Sequence, residues 1–311
     1  MTTILNPDQH EDAAQILREG GLVSVPTETV YGLAADATLD AAVAKIFAAK
    51  NRPTFNPLIA HVADLDMALK IGAFSDDARM IADTFWPGPL TIVVPTHADN
   101  GLSKLVSAGL ETVAIRLPAH PLARAVIAAL GHPIAAPSAN PSGAISPTRV
   151  THVMDGLGGR IDAILDGGDC GIGVESTIIG FLPDPVLLRP GGISKAMLEA
   201  ALGREIADHQ SSDPITAPGQ MTSHYAPKGR VRLNVTAPEA HETFIGFGAV
   251  EGAHINLSPS GDLMEAAANL FEALHHCDRE NVAHIAVSPI PMVGIGAAIN
   301  DRLQRAAAPK P

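Results

Sequence analysis

Apolar and polar positions alternate along this chain in two rhythms, one helical and one of short unbroken runs. Residues 6–19 carry apolar side chains at helical spacing, with Asn6 and Pro7 placed as cap and first-turn residue and Gly20-Gly21 closing the segment, which predicts an amphipathic helix. The strand LVSV follows at once. A second helix is predicted over residues 39–50; Pro53 disfavours its continuation and LIAHV resumes as a strand, so Lys50 and Arg52 fall at a helix end and in its exit loop. Helical stretches at 64–70, 75–85, 120–130, 149–157 and 193–202 then interleave with the apolar runs LTIVV, TVAIRL, PIAAPSA, DAILDGG, STIIGF and VLLRPG. Short apolar strands punctuated by short helices imply a twisted α/β sheet, partly parallel, over residues 1–203, with its loops gathered on one edge.

The periodicity lapses over residues 204–229, where Ser-Ser-Asp-Pro, Pro218-Gly219 and Pro227 read as a linker. Met221, His224 and Tyr225 make it more specific than a plain tether. Beyond it RVRLNV, TFIGFG, a helix over 262–277, HIAVSP and a last helix near 297–307 predict a second, small α/β domain over residues 230–311.

Composition supports two cores: 311 residues at 46% hydrophobic exceed what a single core usually spans. The 21 Lys and Arg against 33 Asp and Glu leave a net charge of -12, which opposes a broad nucleic-acid footprint, so any phosphate site is local. Cys170 and Cys277 are too far apart for a CxxC pair and suit a reducing cytosol. The N-terminus has no basic segment followed by an apolar one, and no uncharged run reaches membrane-spanning length, so a soluble cytoplasmic protein without a membrane partner is expected. The 13 histidines include no HxxxH or HxH set, which argues against a zinc centre.

The chemistry is concentrated in six polar motifs: PTETVYGL from Pro26, KNRPTFNPL from Lys50, IRLP from Ile115, APSANPSGAISPT from Ala136, GVESTII from Gly173 and APGQMTSHYAP from Ala217. Each follows or interrupts an apolar run, where loops leave a packed scaffold and sites are built. Lys50 and Arg52 could present an ammonium and a planar guanidinium to one phosphate, though an isolated KxR also reads as a solvated surface pair. Ser138, Asn140, Ser142, Ser146 and Thr148 offer donors to phosphate or ribose oxygens, or else close Asx and Ser turns. Arg116 and Arg189 each end an apolar strand and require an anion, either a protein carboxylate or a ligand. His61 reads as a core histidine or a ligand contact. GGDCGIGVEST lacks P-loop spacing and fails GxGxxG at Ser176, leaving a glycine turn that delivers Ser176 and Thr177. With no GxSxG elbow, Cys–His pair or paired carboxylates, covalent catalysis is disfavoured. The inventory suits gathering anionic reactants and stabilising charge on a transferring phosphoryl group.

Taken in order, these motifs resemble the YrdC-type family of L-threonylcarbamoyladenylate synthases, in the two-domain form with an extra C-terminal domain, over essentially the whole chain. Lys50, Arg52, Ser138 and Asn140 are similar to that family's KxR and SxN signature, and APGQMTSHYAP to its linker, although PGQM departs from the commoner PGM start. The resemblance implies a large twisted mixed-sheet YrdC-like domain over 1–203, a linker or lid over 204–229, and a small Rossmann-like α/β domain over 230–311; the small domain shows no chemistry of its own in the sequence, so a regulator or clamp that holds the linker as a lid is expected of it. It implies condensation of L-threonine, bicarbonate and ATP to threonylcarbamoyl-AMP with release of pyrophosphate, Mg²⁺ arriving with ATP and held by no dedicated protein ligands. Lys50 and Arg52 would be catalytic and, with Asn56, Thr112, Ser138, Asn140, Ser146, Arg189 and Tyr225, would contact ATP. Thr29, His61, Arg116, Ala136 and Ser176 would hold L-threonine. The product would pass to a tRNA threonylcarbamoyl transferase, with at most weak contact to tRNA. The competing reading is an RNA-binding or ribosome-maturation module of the same fold without synthase activity; a hydrogenase-maturation carbamoyl-transfer domain is set aside because its acylphosphatase and zinc-finger segments are missing.

Overall fold

The computed structural model describes residues 1–209, 217 and 224–309; the PGQM start of the linker motif and half of the expected lid lie outside the described residues. The strands of the large sheet are β1 (Thr3–Leu5), β2 (Val23–Val25), β3 (Gly32–Asp36), β4 (Ile59–His61), β5 (Leu90–Pro95), β6 (Thr112–Arg116), β7 (Ile134–Ala135), β8 (Ala163–Leu165), β9 (Thr177–Phe181), β10 (Pro185–Arg189) and β11 (Ala207–Asp208). Among the described residues they run in the order β1-β8-β2-β3-β7-β4-β6-β5-β9-β10-β11. Direction is mixed: β4 with β6 and β5 with β9 are parallel, whereas β5 with β6 and β9 with β10 are antiparallel.

Helices α1 (His10–Arg18), α2 (Asp40–Lys50), α3 (Leu65–Ile71), α4 (Asp76–Phe85), α5 (Pro121–Leu130), α6 (Val150–Leu157) and α7 (Lys195–Leu202) accompany the sheet. Strand alternation fills both of its faces. On β5, Leu90, Ile92 and Val94 join Ala78, Ile81 and Ala82 of α4 in the main core, while Val93 points the other way, into a cluster with Ile59, Ala114 and Ile178.

Several elements depart from the expected pattern. GLAAD of β3 is a fully buried strand between β2 and β7, although small residues hide its strand character inside a polar motif. Of PIAAPSA only Ile134 and Ala135 are regular strand, and Ser138 is reached through an isolated bridge to Gly32. Helix α2 stops at Asn51, whose left-handed backbone (φ 51°) caps it before Pro53 is reached. Strand β11, which pairs with β10, carries the large sheet to residue 208.

The small domain is a parallel sheet of β12 (Arg230–Arg232), β13 (Thr243–Gly246), β14 (Ile255–Asn256) and β15 (His284–Val287) in the order β12-β15-β13-β14, packed with α8 (Leu263–Arg279) and α9 (Gly296–Ala307). It does not hang free. Leu270, Phe271 and Ala267 of α8 share one apolar cluster with Val30, Ile145 and Val174 of the large domain. At Gly173 (φ 79°) a Cβ would stand 2.3 Å from the Ala267 carbonyl oxygen, so the two backbones touch where only glycine fits. Beside this contact the His152 ring lies on His275 with centroids 3.8 Å apart, and its Nε2 is 2.8 Å from Glu272.

Candidate active site

Strand register assembles the site. His61 at the end of β4 lies opposite Arg116 of β6, Arg116 opposite Thr91 of β5, Thr91 opposite Ile178 of β9, and Ile178 opposite Arg189 of β10. At about 4.8 Å per strand spacing this row spans roughly 19 Å of one sheet edge. Residues distant in sequence therefore stand at a single level. Loops leaving that edge carry Thr27 to Val30, Ala136 to Ser138, and Glu175 with Ser176. Between these loops and the linker end is a cleft lined by Arg52, His61, Arg116, Ala136, Ser138, Ser176, Arg189 and Tyr225, all expected from sequence, together with Glu175 and His224.

Three guanidiniums face this cleft from three directions. Arg52 donates through Nη2 to Asn56 Oδ1 at 2.7 Å and to the Pro57 carbonyl at 2.8 Å. Burial, with Arg189 nearby, brings it down to about 10, so it remains a cation at neutral pH. Arg189 donates through Nη2 to the Ser176 carbonyl at 2.9 Å and to the Ser176 hydroxyl at 3.2 Å. Arg116 donates through Nη1 to Thr29 Oγ1 at 2.9 Å and through Nη2 to Glu28 Oε1 at 2.6 Å, while its buried Nε has no partner. Desolvated cations already fixed by protein acceptors need little reorganisation when an anion arrives.

Six expected residues do not line the cleft. Lys50 is 1% exposed and donates to the carbonyls of Ser138 and Asn140, so it braces the loop after β7 from behind. Burial, and then the charge of Arg52, pushes its ammonium well below the usual lysine range. Asn140 donates to the Pro141 and Ala144 carbonyls, leaving a buried Oδ1 without a partner. Asn56 accepts from Arg52; Ser146 donates to Glu175; Thr29 accepts from Arg116. Thr112 opens β6, paired with Pro95, at the far end of the strand from Arg116.

His61 is buried and pushed down to about 3, by desolvation first and by Arg116 next, so it is neutral. Its Nδ1 is 3.2 Å from the Ile59 carbonyl, which can only accept. Nδ1 therefore carries the proton and Nε2 keeps an acceptor lone pair. Tyr225, at φ 60°, is fully buried with its ring 5.6 Å from Phe271 and 5.3 Å from the Arg302 guanidinium carbon.

Glu175 and Arg302 were not legible as site residues. Glu175 Oε2 accepts from Arg302 Nε at 2.7 Å. Burial alone would raise this carboxyl, but Arg302, Arg189 and the Ser146 hydroxyl outweigh it and hold it at about 2. The signal existed in part, since Glu175 stands in GVESTII; nothing local marks Arg302. Among the described residues no group of three or more His, Cys, Asp and Glu could hold a metal ion, and no helix is long and apolar enough to cross a membrane.

Residues 15–191 match a family model for the Sua5, YciO and YrdC proteins, described as telomere recombination, and residues 193–308 match one described as the threonylcarbamoyl-AMP synthase C-terminal domain. The chain is 43% identical to a threonylcarbamoyl-AMP synthase of Bacillus subtilis, over 97% of this chain and 94% of the relative, and 40% identical to one of Pyrococcus abyssi, over 98% of each. The fold is similar to a crystal structure of P. abyssi Sua5 complexed with L-threonine, with a TM-score of 0.90 at 38% identity and 98% of each chain covered. A crystal structure of full-length HypF is similar over 58% of this chain and 29% of that one at 19% identity and a TM-score of 0.52, a likeness of fold alone. Matched over residues 15–191 and 193–308 by these two models and over nearly all of its length by relatives at least 40% identical, the chain belongs to the threonylcarbamoyl-AMP synthase family, in its two-domain form.

Proposed function

We propose that this chain condenses L-threonine, bicarbonate and ATP into threonylcarbamoyl-AMP and pyrophosphate. The observation that carries the reading is the convergence of Arg52, Arg116 and Arg189 on one cleft whose described lining residues include no activated nucleophile. In this reaction the threonine amine adds to the carbon of bicarbonate or its CO₂ equivalent, giving a carbamate with loss of water. A carbamate oxygen then attacks the α-phosphorus of ATP as the bond to the pyrophosphate oxygen breaks. Both steps join reactants that repel one another, so positioning and charge compensation supply the rate.

On this reading Arg52 and Arg189 receive the phosphates, with Ser138 as a neutral donor and Tyr225 closing over the nucleotide. Lys50 and Asn56 fix Ser138 and Arg52 from one layer behind, while Asn140 holds the turn after Ser138 and Ser146 holds Glu175. Arg116 takes the threonine carboxylate beside Ala136 and Ser176, with Thr29 holding the guanidinium in register. His61 Nε2 accepts the threonine hydroxyl, which lets the site refuse an amino acid lacking that donor. Among the described residues lining the cleft the one carboxylate, Glu175, is already paired with Arg302, so these residues offer no oxygen cage for Mg²⁺. Mg²⁺ then enters bound to the triphosphate, where it would offset phosphate charge, and no step here runs through a protein-held ion. We assign the domains as 1–203, 204–229 and 230–311, the place of action as the cytoplasm, and the next user of the product as a transferase acting on tRNA, with weak tRNA contact at most.

The test is to incubate the purified chain with ATP, Mg²⁺, bicarbonate and L-threonine, follow pyrophosphate, and seek threonylcarbamoyl-AMP by mass spectrometry, with Arg52→Ala as control. Product requiring all three substrates and lost in the variant is expected. Absence of product in the wild type, alongside salt-sensitive RNA binding, would move the assignment to an RNA-binding module.

A further inference from the structure

Arg302 lies on α9 of the small domain, does not line the cleft, and is fully buried. Its contacts nevertheless end on the cleft wall. Nε donates to Glu175 Oε2 at 2.7 Å, and the guanidinium carbon stands 5.3 Å from the centre of the Tyr225 ring. Nη1 is anchored on Asp301 Oδ2 at 2.6 Å. The other Glu175 oxygen accepts from the Ser146 hydroxyl, so both carboxylate oxygens are engaged by protein donors.

Glu175 is the one carboxylate among the described residues lining a cleft that also holds three arginines. Left uncompensated, it would repel a polyphosphate directly and draw a cleft guanidinium onto itself. Arg302 removes both penalties from behind the wall without occupying the space a substrate needs. A second effect runs through Tyr225. Its left-handed backbone is an uncommon one for an aromatic residue, and it persists where neighbours over-determine it, here the Arg302 guanidinium and the Phe271 ring.

We propose that Arg302 is a positioning residue for the triphosphate, contributed by the small domain: by pairing with Glu175 it keeps the cleft positive toward an anionic substrate. The proposal rests on the ATP-using reading above. It gives the second domain a share in substrate binding, and it explains why a carboxylate is tolerated at this point of an anion-binding wall.

The test uses the full-length chain and reads Mg²⁺–ATP affinity by titration calorimetry, beside KM and kcat for pyrophosphate release, in wild type, R302M, E175Q and E175Q/R302M. R302M is expected to weaken ATP binding at least tenfold and to raise KM for ATP more than KM for threonine. Adding E175Q to it should recover most of that loss, and E175Q alone should bind ATP at least as tightly as wild type. A purely structural role for Arg302 predicts no such rescue. Unchanged ATP affinity in R302M, or a loss in E175Q as large as that in R302M, overturns the proposal. Should R302M fail to fold, E175Q and the double variant decide, because both must bind ATP within a few-fold of wild type. A wild type that binds ATP yet releases no pyrophosphate removes the synthase reading alone, since the binding comparison still stands.

Discussion

Lys50 Nζ donates to the Ser138 carbonyl at 2.5 Å, tying the last residue of α2 to the loop that follows β7. The same ammonium reaches the Asn140 carbonyl, so one buried side chain sets the path of both polar residues of the SAN turn. Replacing Lys50 with Met strips two buried carbonyls of their donor, which should cost about 2 kcal/mol. Ser138 moves with the loop, so KM for ATP should rise while threonine affinity changes less. Urea denaturation and separate KM values check this. A variant of undiminished stability that has lost kcat would instead put the ammonium in contact with the reacting phosphate.

Arg116 is expected to separate the two substrates. It shares a strand row with His61, and its Nη1 and Nη2 are spoken for by Thr29 and Glu28 while Nε waits buried. Arg116→Gln keeps hydrogen-bonding capacity but removes the charge and the fork that suit a carboxylate. Threonine binding should fall about 100-fold, roughly 2.7 kcal/mol, with ATP affinity changed less than threefold. Equal losses for both ligands would mean that Arg116 serves the cleft as a whole.

How far the site could be read from sequence follows from what each residue depends on. Arg116 and Arg189 were visible because a charged residue closing an apolar strand needs an anion, a local signal. Arg52 and Ser138 were visible through the order of their motifs. Lys50 looked like a phosphate ligand on the same grounds, but whether an ammonium points into a cleft or back into a loop is set by tertiary packing, which spacing does not encode. Thr112, which the resemblance places at ATP, stands at the other end of β6 from Arg116. Glu175 and Arg302 pair across 127 positions and two domains, and neither pattern nor motif reports such a contact. For the fold, strands with β-branched alternation were legible; β3, built from Gly32, Leu33, Ala34, Ala35 and Asp36, was not, because small residues carry little strand preference.

Gly173 should be intolerant of any side chain. Its φ of 79° is strained for an L residue, and the added Cβ would meet the Ala267 carbonyl oxygen at 2.3 Å and the Ala268 Cα at 2.4 Å, both backbone atoms of α8. Gly173→Ala therefore pushes the small domain off the large one. Stability should drop by about 2–4 kcal/mol, and activity should fall through KM for ATP, since Phe271 and Arg302 retreat from Tyr225 and Glu175 together. Thermal melting with parallel kinetics tests it; a variant as stable and active as wild type would mean that α8 shifts without disturbing the cleft.

Acid should loosen the protein before its carboxylates titrate. His152, on α6, is stacked on His275 and 2.8 Å from Glu272, with Arg149 and Arg279 also on that carboxylate. Burial, then the His275 ring, pushes His152 down to about 4, even though Glu272 favours its charged form. Desolvation likewise takes His61 and His224 down to about 3. An unfolded histidine takes its proton near pH 6.5, so between that pH and the folded values the unfolded chain binds more protons. Stability from these groups is thus complete above about pH 6.5 and lost as pH falls toward 4 and 3, by up to about 1.4 kcal/mol per pH unit for each proton. Glu175, held at about 2 against the ordinary 4.5, adds its own loss as pH falls from about 4.5 toward 2. Urea denaturation at stepped pH should show a falling midpoint from pH 6.5 downward. His152→Gln, which keeps a donor for Glu272 but cannot titrate, should flatten the slope between pH 6.5 and 4; an unaltered slope would assign the acid lability to His61 and His224 within the cleft and leave the domain interface insensitive to pH.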